Sequence, residues 1–130
     1  MTDDLFDAAN AAMARAHAPY SKFPVGAAVR AEDGRVFVGA NIENASYPEG
    51  WCAETTAIAH MVMAGSGRIA EVAVVAERMD FITPCGGCRQ RLAEFSAGGT
   101  KVHLYDRAGK RETVTMRELL PRAFQGDDLK

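Results

Sequence analysis

The three cysteines of this chain restrict its fold more than any other feature. One begins the segment Cys52-Ala53-Glu54, and the other two lie in the later segment Pro84-Cys85-Gly86-Gly87-Cys88. An odd number of cysteines, two of them in a C-x-x-C pair, argues against a disulfide framework and favours metal binding or redox chemistry. Three thiolates suit Zn²⁺ and leave a fourth tetrahedral position open for water, where a nearby carboxylate can move protons. A zinc site therefore requires a fold that brings the two segments together.

Two other interpretations of the cysteines compete with a zinc site. The C-x-x-C pair could form a redox-active disulfide with Cys52 as a bystander, or all three thiols could be buried and inert. A redox pair needs no third cysteine followed by a carboxylate, so the complete pattern favours zinc bound by Cys52, Cys85 and Cys88. Glu54 lies two residues after a ligand, in the first turn of a predicted helix. We expect it to act as a catalytic proton shuttle rather than only to interact with the helix dipole.

The hydrophobic pattern predicts an alternation of helices and strands. An Asp33-Gly34 pair between two apolar runs is typical of a hairpin, and four alternating elements follow residue 50. This order predicts an α/β fold, a three-layer α/β/α sandwich with a mixed, roughly five-stranded sheet, in a single domain over residues 1–130. The predicted helices cover residues 2–17, 53–64, 87–95 and 116–120, and the predicted strands cover 25–31, 36–41, 72–76, 101–105 and 112–115.

Charge and hydropathy narrow the range of partners. The formal net charge is -2, which gives no basic surface for a nucleic-acid backbone. No apolar run approaches the length of a membrane span. Two of the first four residues are acidic and none is basic, whereas a secretory leader begins with basic residues. We therefore expect a cytoplasmic protein that binds neither nucleic acid nor membrane.

Taken together, the motifs resemble the small, homotetrameric, zinc-dependent cytidine deaminases of pyrimidine salvage. The similar segments run in the same order through nearly the whole chain, which makes the resemblance specific. These segments are residues 20–29, 39–48, 52–54, 84–90 and 119–124.

The resemblance implies an activity and a set of site residues. The activity is hydrolytic deamination of cytidine and 2′-deoxycytidine to the uridine forms, with one zinc ion per subunit. Glu54 would pass a proton to a ring nitrogen and help the amino group leave as ammonia. In the family, the residues that match Asn41 and Glu43 hold the ribose 3′-hydroxyl, and the backbone of the one that matches Ala53 helps to read the base. The residue that matches Phe23 packs on the pyrimidine.

Two further residues match positions that reach the nucleoside site from neighbouring subunits in that family. These are Tyr47 and Phe124, and the resemblance therefore predicts a homotetramer with shared active sites. An apolar helix over residues 53–64 also fits burial in a core or against another subunit. Simpler roles remain open at this point: Phe124 as a hydrophobic plug, Tyr47 as a loop anchor and Asn41 as a turn-stabilising residue.

One position departs from the family pattern. The residue after the catalytic Glu is usually an Arg that neutralises the cysteine sulfurs, but here it is Thr55. Three thiolates on Zn²⁺ carry a formal charge of -1, which raises the pKa of bound water. Arg89 belongs to the usual Cys-Arg-Gln pattern and is not an obvious substitute, whereas two helix N-termini can soften the charge. We expect Thr55 to tune zinc affinity or rate without abolishing activity.

Two other functions compete with this interpretation. Deaminases of other cytosine-containing compounds, such as blasticidin S, share the metal motif, although Asn41 and Glu43 favour a ribose. A non-enzymatic, zinc-stabilised interaction module normally has four protein ligands. Here only three cysteines exist, and no histidine has the spacing to complete such a set.

Overall fold

The computed structural model of the protein describes residues 2–78 and 81–129. Among these residues, no helix combines the length and the apolar character needed to cross a membrane. The helices are α1 (Thr2–Met13), α2 (Ala53–Met63), α3 (Gly86–Phe95) and α4 (Met116–Leu119), and the strands are β1 (Val25–Ala31), β2 (Val36–Ala40), β3 (Ile69–Ala76), β4 (Lys101–Tyr105) and β5 (Arg111–Thr115).

The strands form one mixed sheet of five strands in the order β2-β1-β3-β4-β5. Strands β3 and β4 are parallel, and the other neighbours are antiparallel. The parallel pair needs a crossover connection, which α3 provides. The predicted hairpin is present between β1 and β2, where Gly34 has a φ of 94°.

The helices lie on both faces of the sheet, so the predicted three-layer sandwich is confirmed. Helix α1 packs against β1, β2 and β3 on one face, and α2 packs against β1 and β2 on the other. The two faces bury separate apolar clusters. Representative members of the α2 face are Val29, Met61, Val72, Leu92 and Leu104, and those of the α1 face are Leu5, Ala9, Ala28, Val75 and Tyr105.

Two glycines let the first two helices approach the sheet closely. A Cβ at Gly39 of β2 would lie 2.5 Å from the carbonyl oxygen of Ala53, in the first turn of α2. A Cβ at Gly26 of β1 would lie 2.0 Å from the carbonyl oxygen of Ala9 in α1. Real side chains do not tolerate such contacts with backbone, so both positions need glycine. Gly39 thus fixes the height of α2, and of its first turn, above the sheet.

Two predicted boundaries differ from the observed ones by three residues or more, and five others differ by one residue. Helix α1 ends at Met13 rather than near His17, because the chain turns away and the His17 N–H donates to the Asn41 carbonyl oxygen at 2.9 Å. Strand β3 begins at Ile69, three residues before the predicted start. Its polar residue Glu71 fits the sheet because it pairs with Arg30 at 3.3 Å and with His103 at 2.8 Å.

Candidate active site and metal centre

The three cysteines are positioned by the starts of two neighbouring helices. Cys52 is the N-cap residue of α2, Cys85 is the N-cap residue of α3, and Cys88 lies in the first turn of α3. Neither N-cap side chain makes a capping hydrogen bond to its own helix, which leaves both sulfurs available as ligands. Free N–H groups and the positive end of a helix dipole favour thiolate over thiol.

The sulfur atoms have the spacing of a zinc site. All three Sγ atoms lie within 4.8 Å of one another, and those of Cys52 and Cys85 are 3.6 Å apart. Sulfurs bound tetrahedrally to zinc at ~2.3 Å would be separated by roughly 3.8 Å. Among the described residues, no other group of three or more His, Cys, Asp or Glu side chains has comparable geometry. The residues present therefore fit one zinc ion held by three cysteines.

The protons of the cluster are distributed unevenly among the sulfurs. A hydrogen bond from Cys52 lowers the pKa of the Cys88 thiol, against the opposing effect of burial, and Thr55, Cys85 and Arg91 lower it further. The pKa of Cys52 is raised by its hydrogen bond with Cys88 and by burial. Cys88 is fully buried, whereas Cys85 is exposed. The surroundings of Cys88 thus favour its thiolate form.

Glu54 lies beside this cluster in the first turn of α2. Its side chain is 4% exposed, and burial, followed by the charge of Cys88, raises the pKa of the carboxyl to about 7. A carboxyl whose pKa is near the working pH can both take up and release a proton, as general acid–base catalysis requires.

A cavity of about 330 Å³ opens next to the cluster. This volume lies in the range of small-molecule sites. It brings together two of the cysteines, Glu54 and four of the predicted nucleoside-binding residues. Its lining is formed by Ser21, Phe23, Val25, Asn41, Glu43, Cys52, Ala53, Glu54, Val74, Ile82, Thr83 and Cys85.

Asn41 and Glu43 are held in place by backbone hydrogen bonds. The Asn41 side chain accepts from the Val25 N–H at 2.9 Å and donates to the Phe23 carbonyl oxygen at 3.0 Å. Glu43 accepts from the N–H groups of Tyr20 and Ser21, both at 3.1 Å, and from the Ser21 hydroxyl. These bonds lower the pKa of Glu43, with the Ser21 side chain as the main cause. The sequence reasoning missed this role of Ser21, although its hydroxyl lies within a segment that matches the family.

Tyr47 and Phe124 lie outside this cavity. Tyr47 is 74% exposed and lines a second cleft of about 380 Å³, which also includes Trp51, Glu43 and Cys52. Phe124 is 57% exposed, and its backbone carbonyl oxygen accepts from the Gln90 side chain at 2.8 Å. Within one chain, Phe124 lines neither of these two cavities, whereas Tyr47 shares the second cleft with Cys52.

The sequence reasoning also missed a cation at the cluster. The Thr55 hydroxyl is 3.4 Å from the Cys88 sulfur and accepts a hydrogen bond from Nη1 of Arg91 at 3.0 Å. Arg89 is engaged elsewhere: it donates to the carbonyl oxygens of Pro84 and Leu119. The sequence could have indicated this cation through the spacing of Cys88 and Arg91, because residues three apart on a helix are neighbours.

Comparisons with known proteins agree with this geometry. The family model described as "Cytidine and deoxycytidylate deaminase zinc-binding region" matches residues 1–104. The chain is 47% identical over 115 residues to a cytidine deaminase from Sporosarcina psychrophila, covering 88% of this chain and 85% of that protein.

Solved structures give the same result. The crystal structure of cytidine deaminase from Burkholderia pseudomallei is similar with a TM-score of 0.90 and 44% identity, covering 95% of this chain and 99% of that one. That of the Mycobacterium leprae enzyme has a TM-score of 0.82 and 42% identity over 93% and 98% of the two chains. With a matching family model, close relatives and a three-cysteine site beside a buried carboxylate, this chain belongs to the cytidine and deoxycytidylate deaminase family.

Proposed function

We propose that the protein hydrolyses the exocyclic amino group of cytidine and 2′-deoxycytidine, giving uridine or 2′-deoxyuridine and ammonia. The observation that carries this proposal is the placement of Glu54 and two zinc-ligating sulfurs on the wall of one nucleoside-sized cavity. Relatives at 47% and 46% identity that bear the name cytidine deaminase support the same substrate class.

In this proposal Cys52, Cys85 and Cys88 hold the zinc ion. Zinc bound in this way supplies an activated water molecule as the nucleophile. The protein adds the positive ends of α2 and α3, which help to keep the three sulfurs anionic. The burial of Cys88 also excludes bulk water from the inner side of the site.

Glu54 moves the protons of the reaction. It accepts a proton from the attacking water and delivers it to the neighbouring ring nitrogen of the cytosine. It then transfers the second water proton to the amino group, which leaves as ammonia while the carbonyl of uracil forms. Burial raises the pKa of the carboxyl toward neutrality, which favours both uptake and release of a proton.

The remaining cavity residues bind the nucleoside. The Phe23 ring offers an apolar face to the pyrimidine, and the backbone of Ala53 hydrogen bonds to the base. Asn41 and Glu43 bind the ribose 3′-hydroxyl with groups that their backbone hydrogen bonds leave free. The hydrogen bonds that lower the pKa of Glu43 stabilise its carboxylate form, which can accept a hydrogen bond from a hydroxyl.

Assembly into a homotetramer belongs to the same proposal. Tyr47 and Phe124 are large aromatic residues that are mostly exposed in a single chain. Trp51 and Met63 are mostly exposed as well. Exposed aromatic and methionine side chains are enriched at protein interfaces. In the assembly, Tyr47 and Phe124 would reach the nucleoside sites of neighbouring subunits. An active monomer in sedimentation at assay concentration would remove these two roles.

The proposal extends to the biological setting. We place the protein in pyrimidine salvage in the cytoplasm, because reduced cysteines are maintained there and its product is a free uridine nucleoside. We further propose that residues 1–130 form a single domain. One cooperative unfolding transition followed by two probes is the expected result.

Ammonia release from cytidine, 2′-deoxycytidine and blasticidin S tests the proposed activity. We expect release from both nucleosides and its loss when a chelator removes the metal, with recovery when Zn²⁺ is returned. Preferential turnover of blasticidin S would contradict the ribose-binding roles of Asn41 and Glu43. Unchanged turnover after verified removal of the metal would contradict the zinc mechanism.

A further inference from the structure

The three-cysteine site carries a negative charge, and this chain lacks the Arg that usually balances it in the family. Three thiolates outweigh the charge of one Zn²⁺ ion, and Thr55 occupies the position where a guanidinium normally follows the catalytic Glu. A second cation close to the sulfurs would restore the balance. Arg91, on α3, is in the right place.

The contacts of Arg91 connect it to the most buried sulfur. Its Nη1 donates to the Thr55 hydroxyl at 3.0 Å, and that hydroxyl lies 3.4 Å from the Cys88 sulfur. Thr55 can accept from Arg91 and donate its own proton to the sulfur, because a hydroxyl has both capacities.

The conformation of the Arg91 side chain points to an anionic neighbour. It folds back over the first turn of α3, where Nη1 would be 3.3 Å from a Cβ placed on Gly87. A cation is unfavourable at the positive N-terminal end of a helix. Among the described residues, no carboxylate pairs with Arg91 to explain the position. The sulfur cluster is the anionic group within reach.

We propose that Arg91 is a positioning residue of the metal site, which supplies through Thr55 the positive charge that balances the three thiolates. Thr55 then connects the Cys88 sulfur to a cation on the neighbouring helix, so the site keeps a positive charge although position 55 has none. The inference rests on the proposed three-cysteine metal site and does not depend on which nucleoside is the substrate.

The test replaces zinc with Co²⁺ and records the sulfur-to-cobalt charge-transfer absorption of intact protein. A cation near a thiolate stabilises the sulfur electrons, so the transition requires more energy when the cation is present. We expect a shift to longer wavelength in Arg91→Gln and a smaller shift in Thr55→Val. Arg107→Gln removes the same charge from an exposed site on the turn after β4 and should leave the band unchanged.

Rescue separates charge from simple structural damage. Adding Thr55→Arg to Arg91→Gln places a guanidinium at the family's usual position and should move the band back toward the wild-type wavelength. Release of zinc on treatment with iodoacetamide should be about threefold to fivefold faster in Arg91→Gln, which is the size expected of a solvent-exposed charge interaction. The same double variant should slow it again.

The possible outcomes distinguish the two proposals. A wild-type cobalt protein with the charge-transfer band, together with an unshifted band and an unchanged release rate in Arg91→Gln, would overturn the role of Arg91 and leave the metal site intact. A wild-type protein without any thiolate-to-cobalt band would overturn the metal site itself, and the role of Arg91 with it. A shift that Thr55→Arg fails to reverse would show that Arg91 does not act through its charge.

Discussion

Replacement of Gly39 by alanine should displace the start of α2 and thereby distort the metal site. The added Cβ would lie 2.5 Å from the Ala53 carbonyl oxygen and 2.4 Å from the Ala57 backbone nitrogen. Ordinary contact begins near 3.4 Å, so the start of α2 must retreat by about 1.0 Å to clear the shorter of these contacts. Overpacking of this kind costs about 1–3 kcal/mol of the free energy of unfolding.

The displaced turn carries Cys52 and Glu54, which gives the change a functional consequence. Bonds from zinc to its ligands tolerate deviations of about 0.2 Å, and a misplacement of about 1 Å at a catalytic site can lower the rate ~100-fold. We therefore expect Gly39→Ala to lose zinc during dialysis and to lower kcat ~100-fold.

The matched control is Gly26→Ala on the opposite face of the sheet. Its Cβ would lie 2.0 Å from the Ala9 carbonyl oxygen, so this variant must displace α1 and is also destabilised. Urea denaturation, zinc content and kcat would be measured for both variants. If both unfold more easily but retain zinc and kcat to the same extent, the link between Gly39 and the metal site is wrong.

Three other substitutions test separate parts of the site and the sheet. Glu54→Gln should retain zinc and lower kcat by about 10²–10⁴-fold, the usual contribution of general acid–base catalysis; a near-normal kcat for ammonia release would exclude the proton shuttle. Ser21→Ala should raise KM for cytidine by about twofold to tenfold with a smaller change in kcat, because Glu43 loses a hydrogen bond; an unchanged KM in steady-state assays would refute this. Burial raises the pKa of Glu71, but the hydrogen bonds and charges of His103 and Arg30 lower it by more. The folded-state pKa therefore lies below its usual value of 4.5. Its contribution to stability is present above that value and is lost as the pH falls through the lower folded-state pKa, so Glu71→Gln should be less stable at neutral pH and have a shallower acid limb in urea titrations. Parallel acid limbs would contradict it.

The cluster of cysteines was predictable because its chemistry is local in sequence. Cys52 and Cys85 each precede a segment predicted to be helical, so the sequence alone puts both thiols at helix starts. The Asp33-Gly34 turn and the alternation of later elements were likewise sufficient to predict the layers. The distance that joins Cys52 to Cys85 was not visible in the sequence, since it depends on how two helices pack side by side.

The features that the sequence reasoning missed depend on contacts between distant segments. Glu71 reads as a polar break before β3, yet a partner on β4 and another on β1 keep it within the sheet. Arg91 reads as an ordinary exposed helix residue until Thr55, on another helix, is placed beside it. The end of α1 is set by a hydrogen bond from His17 to the end of β2, which no local pattern indicates.

Zinc K-edge X-ray absorption of the purified protein tests the central claim most directly. Three cysteines with an open fourth position predict three sulfur neighbours at ~2.3 Å and one oxygen neighbour near ~2.0 Å. Addition of a nucleoside should perturb the oxygen neighbour and leave the sulfurs in place. A spectrum with a fourth ligand from a protein side chain, or with fewer than three sulfurs, would contradict the account of a catalytic metal centre.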